Sequence, residues 1–296
     1  MFHYSIIVIE NIGDSLVKQA DIVKQRKGVR TQDGDGVRLT RVFGGNSAKD
    51  LDPFLMLDEF GSSDPEDYKG GFPPHPHRGF QTVTYMLKGK MEHTDHLGNV
   101  GLLEDGGLQW MNAGQGIIHS EMPKQTEGIM WGFQLWVNLP SDKKMSPAWY
   151  KDIPREQIPV FEENGINFKV LAGEHKGIKG ALYDPESPTY LDIELSKNGA
   201  YQMELQPEQT HLIYVFVGEM IVNKTKVFAG ELVQVANGDF VHLSSENGAR
   251  FLVISGTPLQ EPVVQYGPFV MNTEAEIHQA ISDYNNGTLA QVADAK

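Results

Sequence analysis

Glycine and proline set the rhythm of this chain. Its 31 glycines and 16 prolines fall mostly between short apolar runs. Glycine reaches the backbone conformations of tight turns, and proline cannot continue a helix or a central strand. Such spacing cuts a chain into short strands joined by turns. Runs rich in Val, Ile, Tyr, Phe or Thr follow this beat at 37–43, 81–87, 108–111, 117–121, 132–137, 168–171, 190–195, 212–217, 220–222, 232–235, 241–243 and 251–254. Helix signals are few. Residues 14–23 carry Leu16, Val17, Ala20 and Val23 on one helical face. Residues 273–284 have Thr273 as N-cap, Glu274 and Glu276 in the first turn, and Asn285-Asn286-Gly287 as the stop.

The strand order repeats. Residues 81–140 run strand, Gly89 turn, strand, Gly106-Gly107, strand, turn, strand, closing strand, Pro140. Residues 211–258 follow the same order around Gly218, Gly230 and Gly238. The expected fold is all-β, with two tandem β-barrels and few short helices. Two domains are expected from a length of 296, here 1–145 and 146–296. The Pro-bearing stretch 141–159 reads as the linker, and the tail from Pro262 packs back on a barrel.

Composition removes several functions. There is no cysteine, so disulfides, thiolate zinc sites, iron–sulfur clusters and Cys nucleophiles are excluded, and any metal must be held by nitrogen and oxygen. A formal net charge of −14 argues against direct nucleic-acid binding and against a polybasic membrane surface. No apolar run approaches the ~20 residues of a membrane span. The first ten residues lack a basic flank and a small-residue cleavage site, so the expected location is the cytoplasm.

The chemistry gathers in 70–80, Gly-Gly-Phe-Pro-Pro-His-Pro-His-Arg-Gly-Phe, and 112–121, Asn-Ala-Gly-Gln-Gly-Ile-Ile-His-Ser-Glu. Strand residues i and i+2 share a face, so His75 with His77 and His119 with Glu121 can aim two pairs at one point. Three imidazoles and a carboxylate leave coordination positions open and suit Fe, Mn, Ni, Cu or Zn. Spacing alone leaves a second reading, in which the His pairs are surface residues of Pro- and Gly-rich turns.

The motifs narrow this. His75-x-His77 followed by Gly89, with a Gly-rich turn leading to His119, resembles the two signatures of the cupin superfamily. The segments 51–60 (Leu-Asp-Pro-Phe-Leu-Met-Leu-Asp-Glu-Phe), 75–80, 108–123, 135–139 and 266–273 (Tyr-Gly-Pro-Phe-Val-Met-Asn-Thr) resemble the pirin family over about residues 36–287. The resemblance implies a bicupin fold, one iron ion in the N-terminal barrel held by His75, His77, His119 and Glu121, and a C-terminal barrel without metal. It also implies a pocket-covering loop with Phe54, Met56 and Phe60. One position departs: the family usually has Glu where this chain has Gln81. On an unbroken strand Gln81 would share the face of His75 and His77, as a neutral neighbour of the site unable to act as a base. Arg78 is expected to brace a loop carboxylate, with Asp58 and Glu59 as candidates. His93 and His96 read as a polar turn.

The expected function is an Fe(II)-dependent dioxygenase using O2 to open a quercetin-like flavonol, with Glu121 as both ligand and general base. The alternative is a non-enzymatic iron-binding regulatory partner of a transcription factor or metabolic enzyme. A third reading is another cupin activity without redox change, such as sugar isomerisation. The implied partners are a small aromatic substrate with O2, or a protein.

Overall fold

The structure, a computed structural model, describes residues 17–184 and 186–290. It is mostly β, with one α-helix among the described residues. The first half builds two antiparallel sheets. The larger has seven strands in the order Trp149–Ile153, Leu108–Asn112, Phe80–Lys88, Met130–Asn138, Phe54–Ser62, Val37–Gly44 and Val29–Asp33. The smaller runs Phe72–His77, Ile117–Pro123, Met91–Asp95 and Val100–Leu103. The second half is one ten-stranded sheet curled around an apolar core, with Thr210–Val222 at its centre. That strand pairs with Glu231–Ala236 at its start and with Thr225–Phe228 at its end, so it serves both faces of the barrel.

Alternation along Phe80–Lys88 explains the layers. Met86 points into the first barrel, with Met91, Leu103 and Met130. Val83, Tyr85 and Leu87 point the other way, into a core shared with Tyr190, Leu212, Tyr214 and Ile254 of the second barrel. The large sheet is therefore buried on both faces. Its strands read as nearly continuous apolar runs because both faces need apolar side chains. Tyr85 carries a polar tie into this layer, its hydroxyl donating to Asp192 at 2.6 Å.

The tail returns to the first barrel. Thr273 accepts from the Glu276 amide at 3.3 Å while the Glu276 carboxylate accepts from the Thr273 amide at 2.8 Å, a capping box that starts the helix Glu274–Asn285. The expected helix at 273–284 is thus present. Lys144, 1% exposed, donates to the carbonyls of Gly79 and Val270 and to Asn138 Oδ1, pinning the tail to the turn after His77.

Four expectations change. Residues 14–16 lie outside the described part, but Asp21–Lys27 is a strand rather than helix. It pairs with Glu231–Ala236 of the second barrel, and buried Ala20 and half-buried Ile22 follow a period of two. The open edge of that sheet offers backbone partners that outweigh a weak helical stripe. Within 141–159, Trp149–Ile153 is no linker, because it pairs with Leu108–Asn112 as an edge of the first barrel. The division at 145/146 therefore cuts across the sheets: 21–27 belongs to the second and 149–153 to the first. The segment with Phe54, Met56 and Phe60 is no covering loop but the strand Phe54–Ser62, between Met130–Asn138 and Val37–Gly44. Finally, 91–95 is a strand, not a turn.

Candidate metal centre

Gly71 and Gly79 bracket the imidazole pair, both at positive φ. A Cβ at Gly79 would lie 2.0 Å from the Val270 carbonyl oxygen, so glycine lets the tail close against this turn. Between them Phe72–His77 pairs with Ile117–Pro123, placing His75 opposite His119 and His77 opposite Ile117. The ring centroids of His75 and His119 are 4.4 Å apart, and His77 stands 4.7 Å from His75 and 5.0 Å from His119. The three offer ligand nitrogens within 4.8 Å of one another, the one such group of three or more His, Asp or Glu among the described residues.

The local hydrogen bonds suit a cation. His75 Nδ1 donates to the Pro73 carbonyl at 2.8 Å, which leaves a lone pair on Nε2. That Nε2 lies 3.0 Å from His77 Nε2. Two ligand nitrogens about 2.1 Å from one ion and at right angles to it stand about 3.0 Å apart. His119 Nε2 is buried without a hydrogen-bond partner. Such an orphan is costly unless something is bound there. Burial and the neighbouring imidazoles hold His77 and His119 well below the usual histidine range, hence neutral, the form that binds metal. These residues fit a metal ion.

Glu121 lies in the same interior, 3% exposed, after a register shift between His119 and Glu121. Its carboxylate accepts from Thr84 Oγ1 at 3.1 Å and Gln134 Nε2 at 2.9 Å. Trp136 Nε1 donates to Gln134 Oε1 at 3.2 Å and so fixes which end of that amide faces Glu121. Thr84 and Gln134 escaped the sequence reading. Their signal was the period of two in 80–88 and 130–138, which turns Thr84, Gln134 and Trp136 inward.

Beside the imidazoles opens a cavity of about 610 Å³, lined by His75, His77, Gln134, Trp136, Phe72, Met56 and Phe60. Arg41 sits at its rim with both arms on Asp58, at 2.9 and 2.7 Å, and a further bond to Asp33. The paired carboxylates favour its charge. Burial pushes Asp58 up against the opposing pull of Arg41.

Other expected residues fall elsewhere. Phe54 is 1% exposed in the core between the barrels, away from the cavity. Gln81 is half-buried and on the opposite face from Thr82 and Thr84, because the positive-φ Gly79 breaks the strand between His77 and Phe80. The parity expected from an unbroken strand does not carry across. Arg78 pairs with Asp283 of the C-terminal helix at 2.7 Å, not with Asp58 or Glu59. Asp58 belongs to Arg41, and Glu59 accepts from Trp131 and Tyr214. His93, read as part of a polar turn, is 1% exposed with its ring 4.9 Å from His119. The alternation Met91, His93, Asp95 was the sequence signal. His211 is bonded within the second barrel to Ser255 and the Gln206 carbonyl.

Comparisons with known proteins agree with this architecture. Residues 36–137 match the family described as Pirin, and residues 190–290 match the Pirin C-terminal cupin domain. A Pseudomonas aeruginosa protein named "Putative quercetin 2,3-dioxygenase PA3240" is 48% identical over 284 residues, covering 93% of this chain and 100% of its own. Human Pirin is 41% identical over 261 residues, covering 86% of this chain and 88% of its own. The crystal structure of a quercetin 2,3-dioxygenase from Acinetobacter baumannii superposes with a TM-score of 0.87 at 34% identity, covering 93% of this chain and 99% of that one.

Proposed function

The chain belongs to the pirin family of cupins, and from that premise we propose that it is an iron-dependent dioxygenase that opens quercetin-like flavonols with O2. The observation that carries this reading is the convergence of His75, His77 and His119 beside an aromatic-walled cavity of about 610 Å³. The Pseudomonas aeruginosa relative and the Acinetobacter baumannii structure carry quercetin 2,3-dioxygenase names, which supports the substrate class. Fe(II) is the proposed ion, with Mn, Ni, Cu and Zn as the other metals that imidazole and carboxylate can hold. His75, His77 and His119 would hold it, with Glu121 as the proposed fourth ligand. The first barrel, which takes most of 1–145 together with Trp149–Ile153, is proposed as the metal-binding half, and the cytoplasm as the site of action.

When bound, the ion supplies Lewis acidity toward the substrate hydroxyl and a template for the reaction. The protein's own part follows from the side chains. Phe72 and Trp136 offer flat walls to an aromatic ring, with Met56 and Phe60 filling the flank. Arg41 is occupied by Asp58 and Asp33, so it supplies no unpaired cation for a carboxylate substrate, and a neutral polyphenol fits this rim better. Glu121, which lies outside the group of three imidazoles, is the proposed base for the flavonol 3-hydroxyl proton. Thr84 and Gln134 hold it in place and stabilise the charge before proton transfer. Gln81 takes no part in this scheme because it sits on the outer face of its strand.

The test has two stages. Metal analysis of purified protein should find about one equivalent of iron, lost in the His75→Ala/His77→Ala variant. Loaded protein should then consume quercetin by absorbance under O2, with turnover absent under nitrogen and in Glu121→Ala. Loaded protein without turnover overturns the dioxygenase reading and leaves the iron-binding regulatory partner. Gln81→Glu should leave the rate unchanged.

A further inference from the structure

One polar row crosses the inner face of the seven-stranded sheet. Register sets Arg41 opposite Asp58, Asp58 opposite Gln134, and Gln134 opposite Thr84. Four adjacent strands thus each contribute one polar side chain, and residues directly opposite share a face. The rows on either side are apolar. One is Leu39, Phe60 and Met86, joined through Gly132. The other is Met56 with Trp136. Gly132 leaves its place to the Phe60 ring, since a Cβ there would lie 2.7 Å from Phe60 Cζ. A ligand on this floor meets hydrogen-bonding groups along one line and apolar surface beside it.

The two ends of the row differ. At one end Thr84 and Gln134 hold Glu121. At the other, Arg41 donates to Asp58 through Nε and Nη2, and to Asp33 through Nη2. These bonds leave the Nη1 protons of Arg41 as donors and a further lone pair on each Asp58 oxygen. One cation between two carboxylates leaves one negative charge, which repels a carboxylate, sulfate or phosphate. A neutral group that both donates and accepts suits this end, and a hydroxyl is such a group. Two strand spacings, about 10 Å, separate the backbones of Thr84 and Asp58. A single hydroxylated ring is too short to reach both ends, whereas a molecule of two or three rings spans them.

We infer that Arg41 and Asp58 are the specificity-determining residues for the far end of the substrate, where they receive a phenolic hydroxyl on a second ring. Glu121 takes the first hydroxyl at the near end. The substrate class narrows to uncharged polyphenols hydroxylated at both ends, and excludes conjugates carrying an anion at the far ring. The inference rests on the cavity taking a flavonol, as proposed above.

The test compares the binding of two flavonols under nitrogen, where oxygen-dependent turnover cannot occur, read by quenching of tryptophan fluorescence. Quercetin carries hydroxyls at both ends, and 3-hydroxyflavone keeps only the one meant for Glu121. The wild type should bind quercetin about 10- to 100-fold more tightly, because 3-hydroxyflavone leaves the Asp58 and Arg41 groups without partners. Arg41→Met/Asp58→Leu removes the pair together and so leaves no unpaired buried charge. It should bring the two affinities within about threefold of each other at unchanged circular dichroism. Asp58→Asn, which keeps the shape of the side chain, should lose part of the preference. A merely structural role would weaken both ligands alike and keep their ratio. A wild type that binds both flavonols equally, or variants that keep the wild-type ratio, overturns the assignment of Arg41 and Asp58. A wild type that binds neither overturns the proposed substrate itself.

Discussion

Asp283→Ala should loosen the C-terminal helix and, through it, the wall of the cavity. Asp283 is the acceptor for Arg78 Nη1 at 2.7 Å; the Arg78 side chain is 5% exposed and that of Asp283 22%. Arg78 also donates to the Gln115 carbonyl at 2.5 Å. Removing one member of a buried ion pair costs about 3–5 kcal/mol. Residual solvent at Asp283 and the surviving bond to Gln115 bring the expectation to about 2–3 kcal/mol. The apolar cluster of helix and tail is small (Phe269, Met271, Ile277, Ala280 and Leu289), so the loss should appear as local opening rather than global unfolding. At 1.4 kcal/mol per tenfold, the opening equilibrium rises about 30- to 150-fold. Hydrogen exchange of the peptide spanning Glu274–Asn285 measures this directly. Arg78→Met/Asp283→Ala should exchange more slowly than Asp283→Ala, because it leaves no buried cation. Since Gln265, Gly267 and Pro268 line the cavity, KM for a flavonol should rise more than kcat falls. Less than threefold faster exchange, or a double variant no better than the single, would refute the reasoning. The pairing holds the Asp283 carboxyl below its ordinary value. Its contribution is therefore complete above the unfolded pKa of about 3.9 and is lost as pH falls through the lower folded value.

Gly79→Ala should detach the same tail, since it combines a φ of 88° with a Cβ 2.0 Å from the Val270 carbonyl; exchange protection of Phe269–Met271 should collapse. Arg250→Met leaves Asp192, 1% exposed at the side chain, with only Tyr85 and Lys169, and should cost about 2–4 kcal/mol in urea unfolding. Arg250→Met/Asp192→Asn should regain part of that. His175, half-buried among Phe161, Phe168 and Tyr201 beside Lys176, is pushed down to about 4 by desolvation first and the lysine second. The unfolded chain binds a proton near pH 6.5 and the folded one near 4, so stability attributable to His175 falls as pH drops through that window. The His175→Gln melting temperature should fall less than the wild type's between pH 6.5 and 4.

Strands with one wet face or clean turns were readable from sequence. The predicted run at 190–195 became Thr189–Leu195, and 241–243 became Phe240–Ser245. Phe54–Ser62 was missed because both its faces are buried, which erases the alternation that marks a strand. Trp149–Ile153 was missed because prolines on either side suggested a linker, while its partner strand lies about 40 residues back. At the site, the His-x-His pair and His119 were legible from spacing. Gln134 and Thr84 were not singled out, and His93 was read as part of a polar turn, because their positions depend on neighbours on other strands.

The sequence by itself determined the available chemistry. With no cysteine, no thiolate donor is available, and glycine and proline spacing commits the chain to short strands. It also determined that His75 and His77 share a side, because a strand's period of two is a local property. Tertiary structure decided which residues meet. Register across strands set His75 opposite His119, and long-range closure joined Arg78 to Asp283, 205 residues away. The Gly79 turn placed Gln81 on the far face and Thr84 on the near one. Parity can be counted along a chain, whereas partners depend on burial and sheet pairing, which distant segments settle together.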